Sequence, residues 1–328
     1  MLMFNFRRPP QLPATWSLRR WAVAGWIALG LAQGAAAQTE RPVAQRVAPE
    51  VYLVQGLSAL GSSANRNFIS NASFVVTRDS VVVFDALGSP ALAEELLAEI
   101  ARITPKRVSH VIVTHYHADH IYGLQTFKAA GATIVAQRDA RLYLNSDTAQ
   151  LRLQASRQEL APAIDENTRL VAADLWIEAP TRLTVGGVDL DLRPAGPAHT
   201  PEDLLVWLPQ QRVLVAGDLV FRGRVPFVGQ ADSGRWIEAL DLLLSYEAQL
   251  ILPGHGPASQ SAKADLQLTR DYLAYLRRTM GEAARNMDPF EEAYARTDWS
   301  RFAHLPLFAV ANRINAYNTY LLMERSGP

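Results

Sequence analysis

Apolar and polar positions alternate in short blocks over most of the chain. Runs at Val51–Val54, Ser73–Val76 and Val81–Phe84 are rich in β-branched residues and separated by Gly, Asn and Asp clusters, the pattern of neighbouring strands joined by turns. The period then lengthens. Leu92, Leu96, Leu97 and Ile100 recur at helical spacing and predict a helix over Ala91–Ile103, closed by Pro105. The Val-rich run at Val108–Val113 predicts a buried strand that leads straight into a histidine-rich segment. A helix around Ile121–Ala130 follows, stopped by Gly131, then a strand at Thr133–Ala136 and a long polar and helical insertion to about Glu178.

The second half repeats the theme. Strands are predicted at Arg182–Val185, Val188–Leu192, Leu204–Leu208, Val213–Ala216 and Leu250–Leu252, with a helix at Trp236–Leu244 before the last. Beyond Gly256 the pattern is helical, and Val310, Ile314, Tyr317 and Leu321 share one face of the final segment, which predicts an amphipathic helix packed on the domain. Strand-rich halves, each flanked by helices, predict an α/β fold of two mixed sheets packed face to face with helices outside.

Composition narrows the class. The 328 residues are 49% hydrophobic and 20% charged, an ordinary globular balance with room for a sizeable core. The absence of cysteine excludes disulfides, thiolate zinc sites, iron–sulfur clusters and thiol nucleophiles. The formal charge is zero, but residues 1–37 carry Arg7, Arg8, Arg19 and Arg20 and no Lys, Asp or Glu. The remainder is therefore net acidic, which argues against a nucleic-acid partner. Arg19-Arg20, the apolar stretch Trp21–Leu31 and the small residues Gly34-Ala35-Ala36-Ala37 form a secretory signal pattern, with cleavage expected after Ala37. The apolar stretch falls short of the roughly 20 residues of a membrane span. The mature protein is thus expected to be periplasmic or secreted, with no stable span, and Leu18 beside the arginine pair leaves the export route open.

The chemistry is concentrated in His115-Tyr116-His117-Ala118-Asp119-His120, just past a strand end. In an extended loop His115 and His117 project to the same side, while Asp119 and His120 open the next helix and point from another direction. Imidazole and carboxylate in that arrangement suit two neighbouring metal ions, zinc first, with manganese or iron as other occupants. Further ligand-type residues recur at predicted strand ends: His199 in Gly196-Pro197-Ala198-His199-Thr200, Asp218 in Ala216-Gly217-Asp218-Leu219 and His255 in Pro253-Gly254-His255-Gly256. Each alone reads as a turn residue. Together they place five of the seven histidines in one pattern.

The His-x-His-x-Asp-His motif with a later His, Asp and His resembles the metallo-β-lactamase superfamily of hydrolases, over about Val51–Pro257. The resemblance implies a four-layer αββα sandwich with two Zn(2+) ions per chain at one edge of the sheets. It assigns His115, His117 and His199 to the first zinc, Asp119, His120 and His255 to the second, and Asp218 as the bridge. A hydroxide shared by the two metals would then be the nucleophile, with Asp119 as the catalytic residue that orients it and moves a proton. Asp85, ending the Val83-Phe84-Asp85 run, reads either as support for the metal loop or as a simple turn carboxylate. The division that follows is a signal peptide 1–37, a linker 38–49, a catalytic domain 50–260 and a C-terminal helical extension 261–328.

Other residues carry weaker readings. His110 reads as a core histidine, His304 as a surface one, Trp207 as core and Tyr122 as packing, while Tyr116 flanks the motif within reach of substrate. Arg222 and Arg224 follow Asp218 closely, where they meet an anionic substrate or are simply solvated. Zinc β-lactamases place a cysteine where this chain has Asp218, and often a lysine three residues on, where this chain has Phe221. A dedicated antibiotic-degrading role is therefore not expected. The Asn312–Tyr320 stretch resembles the tail of exported superfamily members of the quinoprotein relay and sulfur-oxidation branch. The leading expectation is an exported binuclear zinc hydrolase of a small ester, thioester or lactam-like amide. Alternatives are an iron-dependent oxidoreductase like the persulfide dioxygenases and a noncatalytic accessory of a periplasmic quinoprotein system. Gln55–Phe68 and Arg138–Glu178 are the segments expected to shape the cleft.

Overall fold

The structure is a computed structural model that describes residues 40–326. The signal pattern and its expected cleavage point lie outside the described residues. The first half runs β1 (Ala44–Ala48), β2 (Val51–Val54), β3 (Ala72–Val76), β4 (Val81–Phe84), α1 (Pro90–Ile103), β5 (Val108–Ile112), α2 (Ala118–Ile121), α3 (Leu124–Ala129), β6 (Thr133–Gln137), α4 (Ala140–Leu144), α5 (Asp147–Glu159) and β7 (Leu175–Ile177). The second half runs β8 (Thr181–Val185), β9 (Val188–Pro194), β10 (Leu204–Leu208), β11 (Val213–Phe221), α6 (Ser233–Leu244), β12 (Leu250–His255), α7 (Ala262–Arg285), α8 (Phe290–Arg296) and α9 (Phe308–Ser326).

Strands β1 to β7 form one sheet in chain order, antiparallel through β4 and parallel beyond it; the second sheet has the order β12-β11-β10-β9-β8. Alternation of side chains across each strand decides the layers. Val82, Phe84, Ile112 and Val135 of the first sheet meet Leu204, Val206, Val213 and Val215 of the second in a shared core. Their neighbours point outward: Val83, Val111 and Ile134 pack with Leu92, Leu96 and Phe127 of α1 and α3, and Leu205, Leu214 and Ile251 pack with Trp236, Leu240 and Leu273 of α6 and α7. The result is helices, sheet, sheet, helices, as the patterning predicts. Helix α1 starts at Pro90 with the Ser89 hydroxyl accepting the Leu92 amide, and it ends at Thr104 because the residue before Pro105 is pushed out of the helical region.

Several elements differ from the sequence reading. Ala44–Ala48, placed in the linker, pairs with β2 as an edge strand. The helix expected at Ile121–Ala130 is two short helices, because the backbone at Gly123 turns aside to donate to the Leu87 carbonyl. Leu175–Ile177, inside the insertion, completes the first sheet. Strand β11 continues past Ala216 to Phe221 and β12 to His255, with breaks in register that let Gly217 and Phe221 pair onto Pro253 and His255. Trp207 is only half-buried, against Tyr246.

The last helix is turned over. Val310, Ile314 and Tyr317 are 55%, 44% and 40% exposed, while Ala311, Asn312, Asn315, Ala316 and Thr319 are buried. The amphipathic expectation fails because the buried asparagines have partners inside. Asn312 accepts from Tyr272 on α7, and Asn315 binds loop backbone. On this orientation Ile314→Ser is expected to shift unfolding by no more than about 0.5 kcal/mol. Ala316→Leu should destabilise by about 1–3 kcal/mol through overpacking. Urea unfolding curves of the two variants check the assignment.

Candidate metal centre

Every ligand-type residue of the motif reaches one place through a loop, a short helix or an irregular strand end. Strand β5 delivers His115 and His117, helix α2 presents Asp119 and His120, and His199 precedes β10. Asp218 and His255 sit in the irregular ends of β11 and β12. Glycine permits that irregularity. Gly217 has φ +51°, and a Cβ on Gly254 would stand 1.9 Å from Asp218 Oδ1, so backbone and carboxylate approach there as no other residue would allow.

The structure brings all seven residues together in two groups, His115–His117–His199–Asp218 and Asp119–His120–His255. The Asp218 carboxylate lies at the middle. Its Oδ2 is 3.7, 3.4 and 3.3 Å from Nε2 of His115, His199 and His255, and its Oδ1 is 3.3 Å from His120 Nε2. Asp119 Oδ2 lies 3.4 Å from His255 Nε2 and 3.6 Å from His120 Nε2. Donors about 2.0–2.1 Å from a tetrahedral zinc stand about 3.3–3.4 Å apart, so most of these separations match ligands around shared cations. They are poor hydrogen bonds. Among the described residues, His115 Nε2, His120 Nε2 and Asp218 Oδ1 are buried with no hydrogen-bond partner, a costly arrangement for a fold to keep unless the lone pairs face a cation. The donor set of imidazoles and carboxylates therefore fits divalent metal.

The outer nitrogens of His115, His120 and His255 are committed elsewhere, which turns their inner lone pairs inward. His120 Nδ1 donates to Asp85 Oδ2 at 2.9 Å, and His255 Nδ1 donates to the Ile69 carbonyl at 2.7 Å. His115 Nδ1 lies 3.1 Å from the Thr114 hydroxyl, which donates to Asp85 Oδ2 at 2.8 Å, while the Thr114 amide donates to Asp85 Oδ1 at 2.8 Å. Asp85 thus braces the metal loop, the first of its two readings. Such outer partners fix the tautomer and the ring orientation of a ligand.

Electrostatics separates the two groups. Burial holds His115 well below the ordinary histidine range, lowers His117, and lowers His199 to about 3. Burial also opposes charge on His120 and His255, but there Asp218 and Asp119 outweigh it and raise both. Burial pushes the two carboxylates up, and the surrounding imidazoles overcome this, so both Asp119 and Asp218 are held below the usual carboxylate range.

Other residues fall where the sequence left two readings open. Tyr116 is buried, with its hydroxyl donating to the Val171 carbonyl, and Tyr122 is packed against Ser156. His110 is half-buried beside Ser109 in β5, and His304 is exposed. Arg222 is occupied by Asp265 at 2.8 Å and by the Ala258 carbonyl, so it is not free for a substrate anion. Arg224 is buried with Nη1 3.4 Å from the outer nitrogen of His255. Phe221 lies flat on the His255 ring, 4.9 Å between centroids, and presents no charge.

Sequence reasoning passed over four supports. Besides Thr114, Asn71 donates to the Pro253 and Gly256 carbonyls and so holds the His255 turn. Glu202 accepts the Tyr116 amide between two ligands, and Asp203 accepts from the Thr200 amide and hydroxyl beside His199. The acidic pair two residues after His199-Thr200 was the one visible signal.

A cavity of about 440 Å³ opens on His117 and His199. Asp139, Leu142 and Tyr143 from the insertion line one side, Thr200 and Glu202 the floor, and Val228 to Gln230 the other side. Residues of the Gln55–Phe68 segment do not line it.

The comparisons with known proteins agree with this geometry. The family model described as the Metallo-beta-lactamase superfamily matches residues 65–255, more than half of the chain. A metallo-beta-lactamase type 2 of Bacillus cereus is 28% identical over 202 residues, which are 60% of this chain and 71% of that one. A linear primary-alkylsulfatase of Pseudomonas sp. is 26% identical over 233 residues, 60% of this chain and 44% of that one. Among solved structures, a metallo-beta-lactamase from Pontibacter korlensis superposes with a TM-score of 0.57 at 22% identity, over 71% of this chain and 99% of that one. The sec-alkylsulfatase Pisa1 from Pseudomonas sp. superposes at 0.68 with 20% identity, over 86% of this chain and 50% of that one. The chain spans about half the length of the alkylsulfatases it matches.

The bracing role of Asp85 is directly testable. Asp85→Ala is expected to weaken metal retention by about 10- to 100-fold in chelator competition, with the fold intact by circular dichroism.

Proposed function

The chain belongs to the metallo-beta-lactamase superfamily of metal-dependent hydrolases, and from that premise we propose that it is a binuclear zinc enzyme, exported from the cytoplasm, that cleaves an ester, thioester or lactam-like amide of a small molecule. One observation carries the metal count: two ligand groups meet at Asp218, whose two oxygens face imidazoles of both. When bound there, a pair of divalent cations supplies an activated water at neutral pH and a Lewis acid for the substrate oxygen.

The protein's own groups supply position and proton transfer. Asp119 has the more exposed carboxylate, 16% against 4% for Asp218, so it is the one more open to an incoming water. Held ionised by His120 and His255, it accepts a hydrogen bond from the attacking water and passes a proton toward the leaving group. His117 and His199 form the boundary between this centre and the cavity, so the scissile bond lies there with the rest of the substrate against Tyr143 and Val228. The cavity is of small-molecule size and mixes apolar and hydroxyl lining. Among the described residues neither Lys nor Arg lines it, and Phe221 replaces the lysine that pairs with a drug carboxylate in lactamases, which supports a substrate other than a β-lactam. Larger grooves beside α5 and α3 carry no histidine and belong to no ligand group.

Export rests on the leader-like residues 1–37, and among the described residues no helix is long and apolar enough to cross a membrane. The named relatives add alkyl sulfates to the bonds worth testing. A screen of the zinc-loaded protein against lactams, lactones, thioesters, phosphoesters and alkyl sulfates, with metal analysis, tests the proposal. About two zinc per chain and turnover of one class are expected. One iron per chain with oxygen consumption would replace the hydrolase by the dioxygenase reading.

Two further outcomes follow from the geometry. Asp119→Ala is expected to lower kcat by roughly 100- to 10,000-fold at unchanged occupancy of the first group, read on the metal-replete variant. Metal requires neutral imidazole, and His120 and His255 take up protons at higher pH than His115, His117 and His199. As pH falls, the second group therefore releases its cation before the first. Metal content measured after equilibration at stepwise lower pH should show one loss before the other, and simultaneous loss would contradict the assignment.

A further inference from the structure

Helix α9 turns its asparagines inward, and one of them grips the wall of the cleft. Asn315 is fully buried. Its Oδ1 accepts the Val228 amide at 2.9 Å, and its Nδ2 donates to the Pro226 carbonyl at 2.7 Å and to the Tyr272 hydroxyl at 2.9 Å. The carbonyl of one residue and the amide of the next but one lie on the same side of an extended segment, so a side-chain amide can take both, as a neighbouring strand would. Asn315 does this for a loop that has no strand beside it. The loop is also held at Val225, whose amide donates to the Pro306 carbonyl just ahead of α9.

This loop matters because of what it carries. It leaves β11 three residues beyond Asp218, passes through Arg224 and ends in Val228, Gly229 and Gln230, which face His117 and His199 across the cavity. Val228 is 2% exposed and its backbone is buried with it, so without Asn315 the Val228 amide and the Pro226 carbonyl would lose their partners. Behind the grip stands a relay across three helices: Tyr272 of α7 donates to Asn312 Oδ1, and Asn312 Nδ2 donates to Tyr294 of α8. Of the two asparagines that Tyr272 joins, only Asn315 reaches the loop. The relay touches no ligand of the metal centre.

We infer that Asn315 is a positioning residue for substrate: it clamps the Pro226–Val228 backbone and so sets the cleft wall that faces His117 and His199, which makes the C-terminal helix part of the active site. The inference rests on the reading of that cavity as the substrate side of the metal centre. It also accounts for the inverted face of α9, since the polar side is needed inside.

The test compares Asn315→Leu with Asn312→Leu, a change at an equally buried asparagine of the same helix that makes no bond to the loop. Asn315→Leu should speed amide hydrogen exchange in the segment 222–230 by about tenfold or more. It should raise KM for 4-nitrophenyl acetate by about tenfold, the scale of one lost buried hydrogen-bond partner, with kcat and zinc content within about twofold of wild type. Asn312→Leu should lower the unfolding midpoint without moving either reading. If Asn315→Leu does not fold, Asn315→Asp keeps the acceptor for Val228 and sets an oxygen against the Pro226 carbonyl, and it should give the same changes at smaller size. Unchanged exchange in the segment, an unchanged KM, or equal shifts in the Asn315 and Asn312 variants would overturn the clamp. A zinc-replete wild type inert to 4-nitrophenyl acetate and to the substrate panel would count against the hydrolase reading instead, and the exchange measurement would still decide the clamp.

Discussion

A buried carboxylate surrounded by four imidazoles is the constraint around which the rest of the molecule is arranged. Asp218 is 4% exposed, and its oxygens face His115, His120, His199 and His255 at distances too long for good hydrogen bonds. A charge so placed is costly unless cations complete it. Protons on His120 and His255 meet part of that need in the metal-free chain, since both are raised by the carboxylates. The same balance leaves His115, His117 and His199 neutral and ready as ligands. One interaction thus orders the site into a group held by imidazole lone pairs and a group in which protons and metal compete.

The fold serves that constraint by dividing the labour. The first sheet contributes a contiguous loop, braced from below by Asp85 and Thr114, while the second contributes single residues at separate strand ends. The halves are tied near the metal ligands. Asn71 binds the backbone on both sides of His255, the Leu204 amide donates to the Thr114 carbonyl, and Glu202 accepts from Tyr116. These ties are polar and directional, whereas the apolar contact between the sheets is non-directional. Metal geometry is therefore set by hydrogen bonds to main chain, and general stability by the packing of Val, Leu and Ile.

Much of this was legible in the sequence, for a physical reason. Imidazole and carboxylate are poor choices for packing, so their concentration at predicted strand ends stands out, and the seven positions so marked come together in space. Sheet order and layers follow from alternation, which burial enforces at Val82, Phe84, Leu204 and Val206. What stayed hidden were residues with common structural uses. Thr114, Asn71 and Asn315 look like any strand threonine, turn asparagine or helix asparagine until their partners, distant in sequence, are known. The final helix was misread because amphipathicity assumes that apolar faces turn inward, and here satisfied asparagines took the buried side instead. The Asn312–Tyr320 stretch was read by resemblance to one exported branch. Its evident meaning is structural, and the relatives named above are lactamases and alkylsulfatases.

Ligands drawn from both halves of the chain have a consequence for its life outside the test tube. No fragment ending before Asp218 contains a whole ligand group of the first kind, and none ending before His255 contains the second. An incompletely assembled molecule can hold ions only through scattered, weak contacts. Tight retention of metal therefore requires that both halves of the chain be assembled.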